Sequence, residues 1–468
     1  MVFTTHIFVF YFLPLFLLVC YLLPFRFRNL WITVASYFFY GWWQPWFVGL
    51  MLFTTVMDFI WGKVITRPGA TRPQRRLAVT ACVVTNLSLL GFFKYYMFGA
   101  RTLNQLLGAA GFEQFRVLEV VLPIGISFYT FHSLTYILDL YRGQATPAKS
   151  FTDFSAFVAL FPDLVAGPII RYKTLAAQLA SRDQTVKRFA SGICIFILGF
   201  AKKTLLANPL GGVADAVFNT AQPLALDAWV GVLAYAFQIY FDFCGYSDMA
   251  VGLGRMLGFE FLKNFDAPYR AESITELWRR WHISLSSVLR DYLYLPLGGN
   301  RKGPARTYVN LGIVMLLGGL WHGAKWTFIV WGAYHGALLC CERWRGKQSL
   351  YHSLLPPLRI GLTFLLVLFS WVLFRANDVA GAGRYFAAMF GLAPASEASL
   401  LLGAGLYTPY RILILALAGV LVFQPLQAHD WAQRPQTWGR VTVLAPLFAL
   451  CVAVMFGQSF NPFLYFQF

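Results

Sequence analysis

Long apolar runs separated by short polar stretches dominate the pattern of this chain. Runs of about 17–25 residues recur from one end to the other, and a run of that length can cross a bilayer as a helix. Inside a bilayer the backbone must satisfy its own hydrogen bonds, which favours helices, and the strict alternation of a membrane β-barrel is absent. The pattern predicts an all-α, polytopic integral membrane protein with about 11–13 transmembrane or re-entrant helices.

The predicted spans leave no room for a long soluble domain. They are 7–23, 30–43, 46–62, 77–96, 117–138, 189–207, 228–252, 307–321, 326–342, 358–375, 410–426 and 441–457. The first run has no Lys or Arg before it and no small-residue cleavage motif after it, so we interpret it as a retained span rather than a signal peptide. The chain shows no repeat and no low-complexity linker, so we expect one membrane domain over residues 1–468, with a catalytic core around 237–336.

One apolar stretch, 152–170, carries residues that interrupt helices. Pro162, Gly167 and Pro168 all fall within it. Irregular backbone at membrane depth is tolerated only where protein or a water cavity surrounds it. The stretch therefore predicts a broken or re-entrant segment.

Composition agrees with a membrane protein. Hydrophobic residues make up 58% of the chain and charged residues only 12%, against roughly 25% charged residues in soluble domains. The net charge of +18 lies in short loops between spans, which indicates cytoplasmic loops, anionic lipid headgroups or a polyanionic cofactor rather than nucleic acid. Seven scattered cysteines form no CxxC pair, so no metal or redox framework is predicted.

The basic loops predict an orientation. Loop 63–76 carries five Lys or Arg and no acid, which the positive-inside rule places in the cytoplasm. Counting spans from there places Met1 in the periplasm and the stretch 255–306 in the cytoplasm. That stretch carries nine Lys or Arg against five acids, so the two assignments agree.

Two carboxylates, Asp242 and Asp248, fall inside the otherwise apolar span 228–252. A carboxylate at membrane depth is costly unless it has a partner or a watery cavity. We consider both residues functional candidates, with a structural anchor between helices as an equal alternative.

The polar stretch 264–301 follows that span. Ser273 and Glu276 form a capping-box pattern, which predicts a helix that starts near Ile274. On a continuous helix an apolar face would contain Leu277, Trp281, Leu285 and Val288. His282 would lie beside Trp278, Arg279 and Ser286.

A second histidine, His322, lies in the apolar segment GGLWHGAKW. A neutral imidazole is suited to accept a proton near neutral pH, and Gly323 beside it allows close approach of a substrate or helix. His335 follows thirteen residues later, about 220° around a continuous helix. The two would share a face only if Gly332 broke that helix. This separation, with the absence of an HExxH motif, argues against a paired-histidine metal site.

These motifs resemble the membrane-bound O-acyltransferase family, and most closely its bacterial alginate O-acetyltransferase branch, which includes subunits that acetylate cellulose. The matching segments cover most of the chain in order: PIGISFYTFHSLTYILDLYRG (123–143), FPDLVAGPIIR (161–171), QIYFDFCGYSDMAVGLGRMLGF (238–259), ELWRRWHISLSSVLRDYLYLPLGGNR (276–301), GLWHGAKWTFIVWGAYHG (319–336) and NPFLYFQF (461–468). Cys244 departs from the branch, which more often has serine there.

The resemblance implies a fold and a reaction. The fold would be a ring of tilted helices around a central tunnel. His322 would be catalytic, and His282 would be the second polar residue of the site. Acetyl-coenzyme A would donate the acetyl group from the cytoplasm. A periplasmic partner of the SGNH-hydrolase type would finish the modification, beside a polysaccharide synthase and secretion complex in the bacterial inner membrane.

The residues themselves suggest roles within such a reaction. As a general base His322 would contribute about 10²–10⁴ in rate. His282 would orient the thioester or stabilise the developing oxyanion, and His335 ranks third. The donor-binding candidates lie together on the short basic helix and are Arg279, Arg280, Trp278 and Ser286.

Other functions compete with this one. A proton-coupled transporter could use the intramembrane groups Asp139, Asp242, Asp248 and His322, but it predicts internal repeats, which the sequence does not show. A non-catalytic scaffold subunit of a polysaccharide synthase would make His322 dispensable. Transfer of D-alanine to teichoic acid is a third alternative, against which the aromatic motif at 461–468 argues. The sequence does not distinguish alginate, cellulose and other exopolysaccharides.

The orientation is testable at loop 63–76. A cysteine introduced at Ala70 should react with a membrane-impermeant thiol reagent only after the cytoplasm is exposed, because the basic loop is expected inside. Labelling in intact spheroplasts would reverse the orientation.

Overall fold

The computed structural model describes residues 1–165, 167–346, 348–394, 396–435 and 437–458. Every regular element in these ranges is helical. Among them, six helices are long and apolar enough to cross a membrane: Trp46–Thr66, Arg72–Ala109, Val186–Phe218, Ala225–Met256, Pro356–Arg375 and Trp438–Gly457. The prediction of an all-α, multi-spanning membrane protein is confirmed, while the motif at 461–468 lies outside the described residues.

The chain divides into two compact units. The first comprises Met1–Ile193 and Ala250–Leu262, and the second comprises Cys194–Met249 and the chain from Lys263 onward. The helices of the first unit are Ile7–Phe12, Leu13–Leu22, Phe25–Gly41, Trp46–Thr66, Arg72–Leu90, Gly91–Tyr95, Tyr96–Ala109, Ile126–Tyr141, Phe151–Val158, Tyr172–Ala180 and the start of Val186–Ala201.

Buried polar groups of the first unit pair with one another. The Asp58 carboxylate accepts hydrogen bonds from the Cys82 thiol at 2.8 Å and the Asn86 amide at 2.9 Å. His132 Nε2 lies 2.9 Å from Asp163 Oδ2, with both side chains about 1% exposed. Such pairs satisfy groups that a bilayer would leave without partners.

Two of the sequence predictions concern residues of this unit. The predicted span 117–138 was wrong in its first part, because the helix begins only at Ile126. Gly125 before it has a left-handed φ of 75°, and a Cβ there would lie 2.5 Å from the Leu164 carbonyl oxygen. The prediction of a broken segment at 152–170 is confirmed for the described residues, because helix Phe151–Val158 is followed by turns.

The second unit carries the polar motifs. Its elements after Val186–Ala201 are Lys202–Ala207, Asn208–Phe218, Ala225–Met256, Pro268–Arg270, Ile274–Arg280, Ile283–Val288, Leu289–Tyr294, Gly303–His322, Trp326–Trp344, Pro356–Arg375, Val379–Met389, Glu397–Leu406, Pro409–Val422, Ala428–Gln433 and Trp438–Gly457. Two of them, Lys202–Ala207 and Leu289–Tyr294, are π-helical turns, which frequently occur at functional sites.

The π-helical turn Lys202–Ala207 supplies partners for both intramembrane aspartates. Lys202 Nζ lies 2.7 Å from Asp248 Oδ2, and Lys203 Nζ lies 2.7 Å from Asp242 Oδ1. Consecutive residues of a regular helix point about 100° apart, so a locally widened turn helps both lysines reach one neighbouring helix.

Close backbone packing brings the two helices together. A Cβ on Gly199 would lie 2.5 Å from the Gly245 carbonyl oxygen, and a Cβ on Gly245 would lie 2.7 Å from that of Gly199. Only glycines permit this approach. The expectation that Asp242 and Asp248 need partners is therefore met by a lysine for each.

The buried Lys203–Asp242 pair should contribute to the unfolding temperature only while both of its charges are present. Replacing Lys203 by Met leaves the Asp242 carboxylate buried without its cation, which typically costs about 3–5 kcal/mol. We expect Lys203→Met to lower the unfolding temperature in detergent strongly, and Lys203→Met with Asp242→Leu to recover much of the loss. The exposed Lys187, changed to Met, is the control. Equal unfolding temperatures for the single and double variants would contradict the pairing.

Candidate active site

The site is built around the short helix Ile274–Arg280. The Ser273 hydroxyl accepts a hydrogen bond from the Glu276 backbone N–H at 3.0 Å, which confirms the predicted helix start. In a capping box the Glu276 carboxylate would accept a hydrogen bond from the Ser273 backbone N–H. Here it accepts one from the backbone N–H of Glu272, one residue earlier.

Buried Glu342 also fixes this helix. Its two carboxylate oxygens accept from the backbone N–H groups of Ile274 at 2.7 Å and Thr275 at 2.8 Å. A carboxylate at a helix N-terminus satisfies orphan N–H groups and opposes the positive end of the helix dipole. Helix Trp326–Trp344, which carries Glu342, thereby positions the side chains of Ile274–Arg280.

The helix breaks where the sequence predicted continuity. Ile274–Arg280 ends at Trp281, which is extended, and His282 is left-handed at φ 45° and ψ 55° before a new helix starts at Ile283. The prediction that Leu277, Trp281, Leu285 and Val288 share one helical face, with His282 on the same helix, was wrong. A non-glycine residue in the left-handed region costs about 1–3 kcal/mol and is typical of functional sites.

An extended segment stabilises the break. The Ile283 N–H donates to the Asn264 carbonyl oxygen at 2.9 Å, and the Asp266 N–H donates to the Arg280 carbonyl oxygen at 2.9 Å. These bonds replace helical ones around His282. The cause of the break thus lies eighteen residues upstream of the histidine.

The His282 side chain is fully enclosed. Its Nδ1 lies 3.2 Å from Asn264 Oδ1, and its ring centroid lies 4.6 Å from that of Phe243 and 5.7 Å from that of Trp321. His282 lies outside the six apolar helices. Burial lowers its pKa well below the usual range for histidine, and the nearby His322 lowers it further.

His322 ends its helix. Gly303–His322 stops there, Gly323 is extended, and the next helix starts at Trp326. The predicted spans 307–321 and 326–342 left a gap at this place. The break lies at Gly323 and not at Gly332, the position considered for a break that would let His322 and His335 share a face. The two helices pack too closely for side chains, because a Cβ on Gly319 would lie 2.2 Å from the Phe328 carbonyl oxygen and a Cβ on Gly332 would lie 2.4 Å from that of Met315.

Aromatic rings surround His322. Its ring centroid lies 5.0 Å from that of Trp321, 5.1 Å from that of Trp331 and 5.2 Å from that of Phe374. Trp331 also contacts His335 at 4.8 Å. Trp331 therefore packs against both histidines.

A cavity of about 540 Å³ leads to His322. It is lined by Thr275, Trp278, Arg279, Ile283, Leu285, Ser286, Ser287, Leu289, Arg290, Tyr294, Asn300, Leu311, Val314, Met315, Gly318, His322, Trp331, Leu339 and Arg343. Arg279, Arg290 and Asn300 are exposed, whereas His322 and Trp331 are buried. The cavity thus runs from an exposed basic rim to a buried histidine, past largely apolar walls.

The structure separates the predicted site residues into two groups. Those that line the cavity are His322, Arg279, Trp278 and Ser286. Those that do not are His282, Arg280, His335, Asp242 and Asp248. The Arg280 guanidinium instead lies 2.7 Å from the Glu276 carboxylate and donates to the Asp266 carbonyl oxygen at 3.1 Å.

Sequence reasoning missed two cavity arginines, Arg290 and Arg343. Arg290 lies four residues after Ser286, and Arg343 lies beside Glu342 at the end of an apolar helix. Both lie near other basic residues, and from the sequence alone such basic residues are expected to contact lipid headgroups. Only the packing of Trp326–Trp344 beside Ile274–Arg280 brings Arg343 to the cavity. In the described part of the chain, no group of three or more His, Cys, Asp or Glu side chains could hold a metal ion.

Comparisons with known proteins agree with these motifs. Residues 148–352 match the model of the membrane-bound O-acyltransferase family. The chain is 46% identical to the probable alginate O-acetylase of Azotobacter vinelandii, over the full length of both. It is 33% identical to the peptidoglycan O-acetyltransferase of Helicobacter pylori, over 100% of this chain and 98% of the relative. It is 30% identical to the teichoic acid D-alanyltransferase of Streptococcus thermophilus, over 55% of this chain and 69% of the relative.

Proposed function

This chain belongs to the membrane-bound O-acyltransferase family, in its alginate O-acetylase branch, and we propose that it moves acetyl groups from cytoplasmic acetyl-coenzyme A toward a secreted exopolysaccharide. It is a multi-pass membrane protein and an O-acyltransferase. One observation carries the proposal: a single cavity connects exposed arginines with the buried His322.

The cavity suits a coenzyme A thioester along its length. Arg279, Arg290 and Arg343 would hold the phosphates, because guanidinium groups bind phosphate oxygens with paired, charge-assisted hydrogen bonds. Ser286 and Ser287 offer polar contacts to the amides of the pantetheine arm, between apolar walls. The acetyl group would then lie beside His322.

The chemistry at the inner end follows from His322. The acceptor hydroxyl oxygen attacks the thioester carbonyl carbon while His322 removes the hydroxyl proton. A new C–O bond forms, the C–S bond breaks, and the departing thiolate takes the proton from the imidazolium. The rings of Trp321, Trp331 and Phe374 limit water near the thioester and so disfavour its hydrolysis.

The relatives support acetyl as the transferred group. The alginate O-acetylase matches over the whole chain at 46% identity, whereas the D-alanyltransferase matches about half of it at 30%. Acetyl transfer is therefore favoured over D-alanyl transfer. We propose a periplasmic acetyltransferase of the SGNH-hydrolase type as the next acceptor, beside a polysaccharide synthase and secretion complex in the bacterial inner membrane, with the N-terminus of this chain in the periplasm.

The three aspartates of the competing transporter hypothesis each have a lysine nearby. Asp242 and Asp248 each have a lysine at 2.7 Å. Asp139, in the first unit, has Lys173 at 3.7 Å. Paired carboxylates of this kind support a structural role better than a proton relay. A scaffold subunit, in turn, would have no use for a cavity that ends at a histidine.

The role of His322 is tested by His322→Ala and by His322→Gln, which cannot titrate. We expect polymer secretion to continue while its acetyl ester content falls at least about 100-fold, because the general base is lost. Ester content is measured on purified polymer, and the amount of the protein in membranes is measured by immunoblot. The matched control is His352→Gln, a histidine outside the site. Wild-type acetyl content in the His322 variants would overturn the assignment and favour a scaffold.

Donor recognition is tested at the arginines. Arg290→Met and Arg343→Met should each raise the KM for acetyl-coenzyme A about tenfold or more and leave the rate at saturation nearly unchanged, because each removes a charge-assisted bond to phosphate. Arg280→Met is the matched control on the neighbouring helix, since its guanidinium pairs with Glu276. Equal KM changes at Arg280 and Arg343 would contradict this placement of the donor.

A further inference from the structure

Asn264 has a fixed side-chain orientation. Its Oδ1 accepts from the Ser284 backbone N–H at 3.2 Å and from the Ser284 hydroxyl at 2.9 Å. A backbone N–H can only donate, so the atom that faces it is the amide oxygen and not the NH₂ group. Asn264 is 3% exposed, and its oxygen therefore presents a defined acceptor in the interior.

That oxygen favours one tautomer of His282. His282 Nδ1 lies 3.2 Å from Asn264 Oδ1, and a carbonyl oxygen accepts only, so a hydrogen bond between them requires a hydrogen on Nδ1. The Ser284 hydroxyl lies 3.4 Å from Nδ1, and it faces Nδ1 with a lone pair because its hydrogen is donated to Asn264. The apolar surroundings of Phe243 and Trp321 disfavour the imidazolium. In the neutral ring Nε2 then carries a lone pair.

Nε2 is the available atom of this ring. It has no hydrogen-bond partner within the part of the chain that the structure describes. The same Asn264 also holds the strained backbone, because its carbonyl oxygen accepts from Ile283 directly after left-handed His282. One residue thus fixes both the direction and the protonation of the imidazole.

We propose that Asn264 is a positioning residue that holds His282 as the neutral, Nδ1-protonated tautomer, so that His282 serves the reaction through Nε2 as an acceptor of a proton or hydrogen bond. The tautomer of His282 does not depend on the proposed acyl transfer, whereas its effect on kcat does. It decides between the two roles considered for His282. An unprotonated Nε2 cannot donate to an oxyanion, so the orienting role remains. Because His282 does not line the cavity, Nε2 would accept from a group next to His322 rather than from the donor directly.

The position of His282 is consistent with such a role. Its ring contacts Trp321, and the Trp321 ring contacts His322. Both histidines thus contact the Trp321 indole, and each lies where a helix is interrupted. A change in the tautomer of His282 would alter hydrogen bonding close to the proposed base without moving the cavity rim.

The tautomer is measured directly with ring-¹⁵N-histidine labelling of the full chain in detergent, with His282→Leu used to assign the signals. In the wild type we expect a protonated Nδ1 and an unprotonated Nε2 at His282. Asn264→Leu, which keeps the branched shape but removes the acceptor, should shift this ring toward the other tautomer. Asn264→Asp keeps an acceptor oxygen and should retain Nδ1 protonation, as carboxylates orient histidines in other enzymes.

Kinetics distinguish positioning from a merely structural role. Asn264→Leu should lower kcat about 10- to 100-fold with little change in the KM for acetyl-coenzyme A, since general acid–base and positioning effects have this size, and Asn264→Asp should restore part of kcat. Asn208→Leu is the matched control: Asn208 is also buried in the second unit and donates to Gln458. It should leave the His282 signals and kcat unchanged.

The outcomes separate this inference from the proposed function. A protonated Nε2 on neutral His282 in the wild type overturns the inference, even if acetyl transfer is observed. An unchanged tautomer in Asn264→Leu also overturns it. The expected tautomer in a protein that cannot use acetyl-coenzyme A would support the role of Asn264 and reject the proposed donor. If Asn264→Leu does not fold, the wild-type spectrum still decides the tautomer.

Discussion

A bilayer provides no partner for a buried polar group, and several such groups in this chain find partners in distant segments. The positions of the helices reflect this constraint. Lys203 meets Asp242 where two glycines let the backbones touch. Glu342 meets the first N–H groups of Ile274–Arg280. Asn264 meets the break at His282. In each case an ion pair or hydrogen bond between distant segments sets the register of the helices that carry the site.

The two candidate histidines, His282 and His322, lie at helix ends. His282 stands between two short helices, and His322 is the last residue of its own helix. A residue at an end can leave the helical direction and present its ring to another element, whereas a residue in a helix interior stays on one face. The strain at His282 is tolerated because Asn264 supplies bonds to the backbone and to the ring.

Local patterns were sufficient for part of this structure. The all-α class follows from hydropathy, the helix start at Ile274 follows from Ser273, and His322 stands out because a polar ring in an apolar run is rare. The break at His282 could not be predicted from its own neighbours, because its cause is Asn264. Likewise Lys202 and Lys203 lay inside a predicted span, but their π-helical turn and their pairing with aspartates depend on a helix further along the chain. Long-range contacts, not propensities, decided these features.

The two ends of the cavity have opposite chemical requirements, and this contrast argues for the kind of donor. The cavity lining includes three guanidinium groups, of Arg279, Arg290 and Arg343, and the first two are exposed. The buried end is an imidazole among indole and phenyl rings. Acetate would satisfy the rim but could not place its charge among the rings without a large desolvation cost. A neutral sugar ester would leave the positive charge of the rim without a partner. The proposed donor, a thioester of a phosphorylated carrier, would place its charge at the rim and a small neutral acyl group beside His322.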